Sequence, residues 1–204
     1  MSSNIRVVLG IFFCVFCFTF ALTGCGRSAP THYYTLSSYP QEQEAKTPGA
    51  STSCFSLGIG PVEFPAYLDR THIITQGDKN QMHLADFDQW VEPLSDNFKR
   101  ILMDNLTTSL CNKPVVIFPW PAGVHPDYQI TIQVQHFDGF FGGEAVLRAS
   151  WAILNPRGDV LIWKSSSLHE AVPGNDYAGI AEAQSKLVAS LGQEIIMAIG
   201  TLRP

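Results

Sequence analysis

The chain has 204 residues, of which 13 are Lys or Arg and 18 are Asp or Glu, giving a net charge of −5 at neutral pH. An acidic chain is poorly suited to binding nucleic acid, because contacts to phosphate depend on clustered Lys and Arg. The same charge balance argues against broad electrostatic adhesion to anionic lipid.

The first 24 residues have the pattern of a signal peptide. Arg6 supplies the early charge, and an apolar run from Val7 to Leu22 follows it. This run is shorter than the roughly 20 apolar residues that a membrane-spanning helix needs. It closes with Leu22-Thr23-Gly24-Cys25, which resembles a bacterial lipobox. We therefore expect cleavage before Cys25 and attachment of a diacylglycerol and an N-acyl lipid to that cysteine. The alternative is an ordinary secretory signal that contains a chance cysteine.

These signals divide the chain into a signal peptide (1–24), a segment with the lipid anchor, a short strand and a flexible loop (25–53), and one domain (54–204). The mature chain would keep 180 residues and a net charge of −6, which is enough for one sizeable core. Two or more acyl chains anchor a protein stably. Gly26 rather than aspartate follows the cysteine, which favours the outer membrane, with the domain facing the periplasm.

Two cysteines remain outside the signal peptide and the lipobox. Cys54 and Cys111 would meet an oxidising compartment, where a disulfide between them is the favoured interpretation. Two separately buried thiols are the alternative.

The first half of the mature chain predicts short strands followed by a long helix. Gly58 and Gly60 indicate a bulge or a close backbone approach in the second strand. Pro93 fits the first turn of the helix, where no N–H is needed. The predicted elements are strands over 33–36, 54–64, 72–75 and 81–84 and a helix over about 92–110.

The second half predicts a strand meander and a final helix. The predicted elements are strands over 115–118, 128–135, 144–154 and 159–168 and a helix over about 176–199. The fold class expected is α+β, a mostly antiparallel sheet with two long helices packed on one face, in the order β-β-β-α-β-β-β-β-α. Glutamines and serines on the other face predict that it stays wet. Trp151 and Trp163 lie on neighbouring predicted strands and could pair across the sheet.

The sequence contains few patterns that are typical of catalytic sites. The sequence has no Gly-x-Ser-x-Gly elbow, phosphate loop or His-Glu-x-x-His pair, so an envelope hydrolase is disfavoured. His83, Asp86 and Asp88 form a weak candidate metal cluster, and a solvated loop is the favoured interpretation. We expect no enzyme activity, no metal and no cofactor apart from the covalent lipid.

Two short segments are candidate partner-binding surfaces. The first is the turn Tyr67, Leu68, Asp69 and Arg70, which either packs on the core or presents an interface. The second is the pair Phe140 and Phe141, which glycines flank at a predicted hairpin tip. These rings either fold back onto the sheet or contact a membrane or a partner.

Four segments of the sequence, taken in order, carry a family resemblance: the lipobox, Tyr33-Tyr34-Thr35-Leu36, the stretch from Gly60 to Arg70, and Trp90-Val91-Glu92-Pro93-Leu94. Together they resemble the ABC-type transport auxiliary lipoprotein family of PqiC/YmbA-like proteins. The resemblance implies a non-enzymatic, lipid-anchored subunit that docks or assembles an intermembrane system for lipids or other hydrophobic molecules, together with an MCE-domain protein. A periplasmic carrier with its own apolar pocket is the alternative, and a homo-oligomer is compatible with the sequence.

Overall fold

Eight strands and two helices make up the described part of the chain, which in this computed structural model covers residues 29–39, 55–110 and 113–202. In chain order these are β1 (His32–Tyr34), β2 (Leu57–Glu63), β3 (His72–Gln76), β4 (Met82–Trp90), α1 (Leu94–Ser109), β5 (Val115–Ile117), β6 (Tyr128–Gly139), β7 (Glu144–Leu154), β8 (Val160–Ala171) and α2 (Tyr177–Gly200). Four strands therefore precede the first helix.

All eight strands join one sheet that is organised around β6. One edge of β6 pairs with β7, and β7 pairs with β8, both antiparallel. The other edge of β6 is shared, since its first half pairs with β2 and its last residue pairs with β3. The strand β5 extends the sheet beyond β2, and the strands β4 and β1 extend it beyond β3.

The α+β fold class is confirmed, and the sheet is mixed: most of its paired residues are antiparallel, but it is not purely antiparallel. The pairs β1–β4, β2–β5, β2–β6 and β3–β6 are parallel. Parallel neighbours need a crossover instead of a hairpin, and α1 supplies one between β2 and β5. Strand alternation in a sequence does not report which of these two connections is used.

Both helices cover one face of this sheet. The helix α1 packs over β2 and β5, α2 packs over β7 and β8, and the two helices touch each other. Each fully buried Leu or Ile in this layer contributes about 1.5–3 kcal/mol. The buried apolar side chains of the two helices include Leu94, Phe98, Leu102, Leu106, Ile180, Leu187, Leu191, Ile195 and Ile199.

The other face of the sheet carries polar side chains, as the sequence predicts. Gln135 Nε2 donates to Ser150 Oγ at 2.9 Å, and Ser150 Oγ lies 3.3 Å from Ser165 Oγ, which links three strands. On the same face a Cβ at Gly58 would lie 2.7 Å from the ring of Trp120. This contact confirms the close approach that the glycine predicts.

Two local predictions are wrong, one about a tryptophan pair and one about a loop. Trp151 is opposite Lys164, and Trp163 is opposite Ala152, so the two tryptophans point to opposite faces and do not pair. The segment 86–88 belongs to β4 and is not a solvated loop. An irregularity in the β3–β4 register breaks the alternation there.

The strand directions give the sheet two distinct ends. The β3–β4 turn (77–81) and the β6–β7 turn (140–143) lie at the same end, because Thr75 is paired with both His83 and Gly139. We call this the turn end. The β7–β8 turn (155–159) lies at the opposite end, which we call the far end.

Candidate functional site

A wide groove opens at the turn end between the β3–β4 hairpin, the β6–β7 turn and the start of α2. Its volume is about 820 Å³. Aromatic, aliphatic, polar and charged side chains all line the groove. They include Thr75, Asp78, Lys79, His83, Leu84, Asp86, Phe140, Phe141 and Tyr177.

Three aromatic rings form one wall of the groove. The ring of Phe141 packs edge-on against Tyr177 with 5.0 Å between centroids. The ring of Phe140 folds over Gly143, where a Cβ would lie within 1.8 Å of the ring. Both phenylalanines nevertheless stay exposed over much of their surface. The wall therefore offers apolar surface that is ordered by packing.

The acidic side chains near the groove do not form one cluster. His83 and Asp86 line the groove, whereas Asp88 accepts a hydrogen bond from Tyr34 Oη at 2.8 Å. Burial and the neighbouring Asp88 raise the pKa of Tyr34 to about 12. Burial and then Asp88 and Asp86 also raise the pKa of Tyr177. Both phenols are thus uncharged at neutral pH, and Tyr34 is a hydrogen-bond donor to Asp88.

His83, Asp86 and Asp88, the candidate metal ligands, do not face one common site. Among the residues that the structure describes, no group of three His, Cys, Asp or Glu side chains could hold a metal ion. Asp88, the third member of the sequence cluster, also lies 3.3 Å from His32 Nδ1. Asp88 Oδ1 therefore contacts two residues of β1, His32 and Tyr34, and Asp88 does not line the groove with His83.

The turn between β2 and β3 is hydrogen-bonded to β6 through Tyr67 and to the start of α1 through Asp69. Tyr67 Oη donates to Asp138 Oδ2 at 3.1 Å, and burial with the nearby carboxylate raises the pKa of Tyr67. Leu68 is buried in the core, and Asp69 Oδ1 accepts from Ser95 Oγ at 2.7 Å. Arg70 is exposed. The structure thus gives the first half of this turn a packing role and leaves Asp69 and Arg70 at the surface.

An apolar patch at the far end was missed by the sequence patterns. Trp163, Val160 and Leu161 are exposed at the start of β8, and the side chain of Trp163 is 67% exposed. Within the described residues β8 pairs with β7 on one side alone. The aromatic and aliphatic run at the start of the last strand was the available signal, but only the register shows that Trp163 faces away from the helices.

No pattern in the sequence indicated that Tyr34 and Tyr177 lie next to each other beside the groove. Their ring centroids lie 6.4 Å apart, although the residues are far apart in sequence. The pairing of β1 with β4 brings them together, and no local pattern predicts that pairing. Cys25, Cys54 and Cys111 lie outside the described residues.

The sequence profile of the ABC-type transport auxiliary lipoprotein component matches residues 34–196, which is most of the chain. The chain belongs to this family. It is also 27% identical over 180 residues to the intermembrane transport lipoprotein PqiC of Escherichia coli, covering 85% of this chain and 91% of the relative. The PqiC of Shigella flexneri matches to the same extent.

Solved structures share the fold of this auxiliary lipoprotein. An uncharacterised protein superposes with a TM-score of 0.67 at 20% identity, covering 84% of this chain and 99% of the other. A Xanthomonas campestris protein superposes with a TM-score of 0.61 at 15% identity, covering 81% and 92%. Within the described residues, neither helix has the length and apolar character that crossing a membrane requires.

Proposed function

We propose that this auxiliary lipoprotein is a non-enzymatic docking subunit of an intermembrane transport system for lipids or other hydrophobic molecules. The match to the family profile over residues 34–196 is the observation that carries the proposal. The similarity to a protein named for intermembrane transport supports it. In this proposal the lipid on Cys25 fixes the domain to the outer membrane, and a protein surface captures a periplasmic MCE-domain protein.

The anchor follows from the N-terminal sequence. Signal cleavage after residue 24 would expose Cys25, and its diacylglycerol and N-acyl chains would hold the chain on the bilayer. Cys25 lies seven residues before His32, the first residue of β1. Seven residues span at most about 25 Å, so the domain would stay close to the membrane surface.

The far-end patch is the surface that we propose for the protein partner. A strand with one free edge offers unpaired backbone groups for pairing with another chain. Exposed tryptophan is typical of binding hot spots. Trp163, Val160 and Leu161 combine both features. Copies of the same chain would compete for this edge, which makes a homo-oligomer a measurable alternative.

Crosslinking and affinity capture of the acylated protein from its native envelope would test the proposal. We expect an MCE-domain protein among the captured chains. Trp163→Ser should lower its yield by about fivefold or more, as loss of a hot-spot side chain does. Tyr33→Ser is the matched control, since Tyr33 is 66% exposed but lies on β1. Capture without any MCE-domain protein, or equal loss in both variants, would contradict the docking role.

A lipid carrier is the second candidate function, and the groove favours it. Its volume of about 820 Å³ is within the range of ligand sites, and its wall is aromatic. Native mass spectrometry of the purified protein separates the two functions. A lipid retained at one per chain, and lost in a Phe141→Ser variant, would support the carrier.

A further inference from the structure

The turn end of the sheet carries an exposed apolar surface of three side chains. Phe140, Phe141 and Leu84 line one groove and remain partly exposed to solvent. We call these three residues the tip surface. The rings of Phe140 and Phe141 rest on Gly143 and Tyr177, so the tip surface is presented on an ordered turn.

The direction of β1 relates the tip surface to the lipid anchor. The strand β4 starts at the turn end and runs away from it, and β1 is parallel to β4. The chain therefore enters β1 from the side of the turn end. Following the strand backwards from His32 leads towards the tip surface.

The segment from Cys25 to His32 can be compared in length with the part of β4 that lies between His32 and the turn end. His32 is opposite Asp88, five strand residues beyond His83, which is level with the end of β6. Five strand residues rise about 17 Å. The seven residues from Cys25 to His32 reach at most about 25 Å. A fully extended segment of this length is therefore long enough to reach the level of Gly139, where the turn that carries the tip surface begins.

We propose that the tip surface inserts into the phospholipid layer that holds the lipid of Cys25. This inference rests on the proposed lipid anchoring. Phe and Leu are side chains that partition into the boundary between headgroups and acyl chains. The anchor raises the local concentration of lipid, so a small apolar contact is enough to fix the orientation of the domain.

The charges around the tip surface make this an apolar contact and not an electrostatic one. Asp78 and Asp86 line the same groove as Lys79, and the chain as a whole is acidic. Attraction to anionic lipid needs clustered Lys and Arg. Insertion should therefore be insensitive to anionic lipid and to salt. With the tip surface in the bilayer, the far-end patch points into the periplasm.

Photo-crosslinking of the acylated full-length protein in phosphatidylcholine vesicles tests the proposal. Phe141→benzoylphenylalanine places the crosslinker at the tip surface, and Leu161→benzoylphenylalanine is the matched control. The two native side chains are 38% and 41% exposed, at opposite ends of the sheet. We expect a phospholipid adduct at position 141 in about tenfold higher yield than at position 161, since apolar insertion favours one end by at least that factor.

Amide hydrogen exchange provides a second readout without a crosslinker. Exchange of residues 139–144 in the unsubstituted protein should slow by about threefold or more on vesicles relative to detergent, since insertion removes this turn from water. Exchange of residues 155–161 should not change. Equal lipid yields at 141 and 161, or adducts at 141 to a second copy of the chain alone, overturn the tip insertion. A protein that does not float with the vesicles overturns the lipid anchor and the insertion together.

Discussion

The hydroxyl of Tyr67 donates a hydrogen bond to the carboxylate of Asp138 at the point where β6 passes from one neighbouring strand to the other. Asp138 is 1% exposed, and its second oxygen accepts from Gln76 Nε2 at 2.6 Å. The turn after β2 and the end of β3 therefore share one buried carboxylate. Asp138 therefore joins the turn after β2 and the end of β3 to β6.

Tyr67→Phe should destabilise the domain because it removes one of the two donors that the described residues offer to that carboxylate. The loss in the free energy of unfolding should be about 1–3 kcal/mol, as expected for a buried acceptor that loses a partner. Chemical denaturation measures it. Tyr33→Phe, at an exposed tyrosine of β1, should change nothing measurable. A Tyr67→Phe protein as stable as the parent would contradict this role of the contact.

The two tryptophans of β7 and β8 should respond very differently to substitution. Trp151 is buried and donates from Nε1 to Ser166 Oγ at 2.8 Å, so Trp151→Ala should cost about 3–5 kcal/mol of stability. Trp163 faces solvent, so Trp163→Ser should stay within about 0.5 kcal/mol of the parent. Thermal unfolding of both variants checks this. A large loss for Trp163→Ser would mean that its side chain is buried in the native assembly.

The elements with regular alternation could be predicted from the sequence. The strand predicted over 144–154 has its observed bounds, because buried and more exposed side chains alternate from Glu144 to Trp151 and the turn at 155–158 marks its end. The strand predicted over 128–135 runs on to Gly139, since a register shift between Val134 and His136 interrupts its alternation. That shift returns Phe137 to the core.

Only part of the candidate site could be predicted from the sequence. Phe140 and Phe141 could be placed at a hairpin tip from the flanking glycines. Their neighbours Tyr177 and Leu84 come from distant segments, which only strand order brings to the same groove. Parallel pairing of this kind depends on contacts that are remote in sequence.

Acid should weaken the junction between the starts of β2 and β6. Asp127 Oδ2 accepts from Ser56 N at 2.8 Å and from Ser56 Oγ at 2.9 Å, and these bonds lower the pKa of Asp127. The ionised carboxylate thus stabilises the fold above about pH 4, the usual Asp pKa. This stability is lost as the pH falls through the lower folded-state pKa.

Asp127→Asn should accordingly flatten the fall in stability below about pH 4, by less than about 1 kcal/mol because the site is exposed. Denaturation midpoints at several acidic pH values measure the slope. Ser56→Ala, which removes one of the donors, should change the slope in the same direction and less. An unchanged slope in Asp127→Asn would contradict the assignment.

The disulfide between Cys54 and Cys111 stays a prediction from the sequence. Leu57, three residues after Cys54, donates its N–H to the carbonyl of Pro114, three residues after Cys111, at 3.1 Å. Cys54→Ser/Cys111→Ser should cost about 4 kcal/mol in the chain-entropy model for a loop of this length. Intact mass after alkylation with and without prior reduction checks the bond. Alkylation of both thiols without reduction would exclude it.

The lipid on Cys25 is the central claim, because both the docking role and the orientation of the domain depend on it. Mass spectrometry of the N-terminal peptide from the native host tests it most directly. We expect a chain that starts at Cys25 and carries a thioether-linked diacylglycerol and an N-acyl group. A freely soluble mature protein with an unmodified thiol at position 25 would contradict the account.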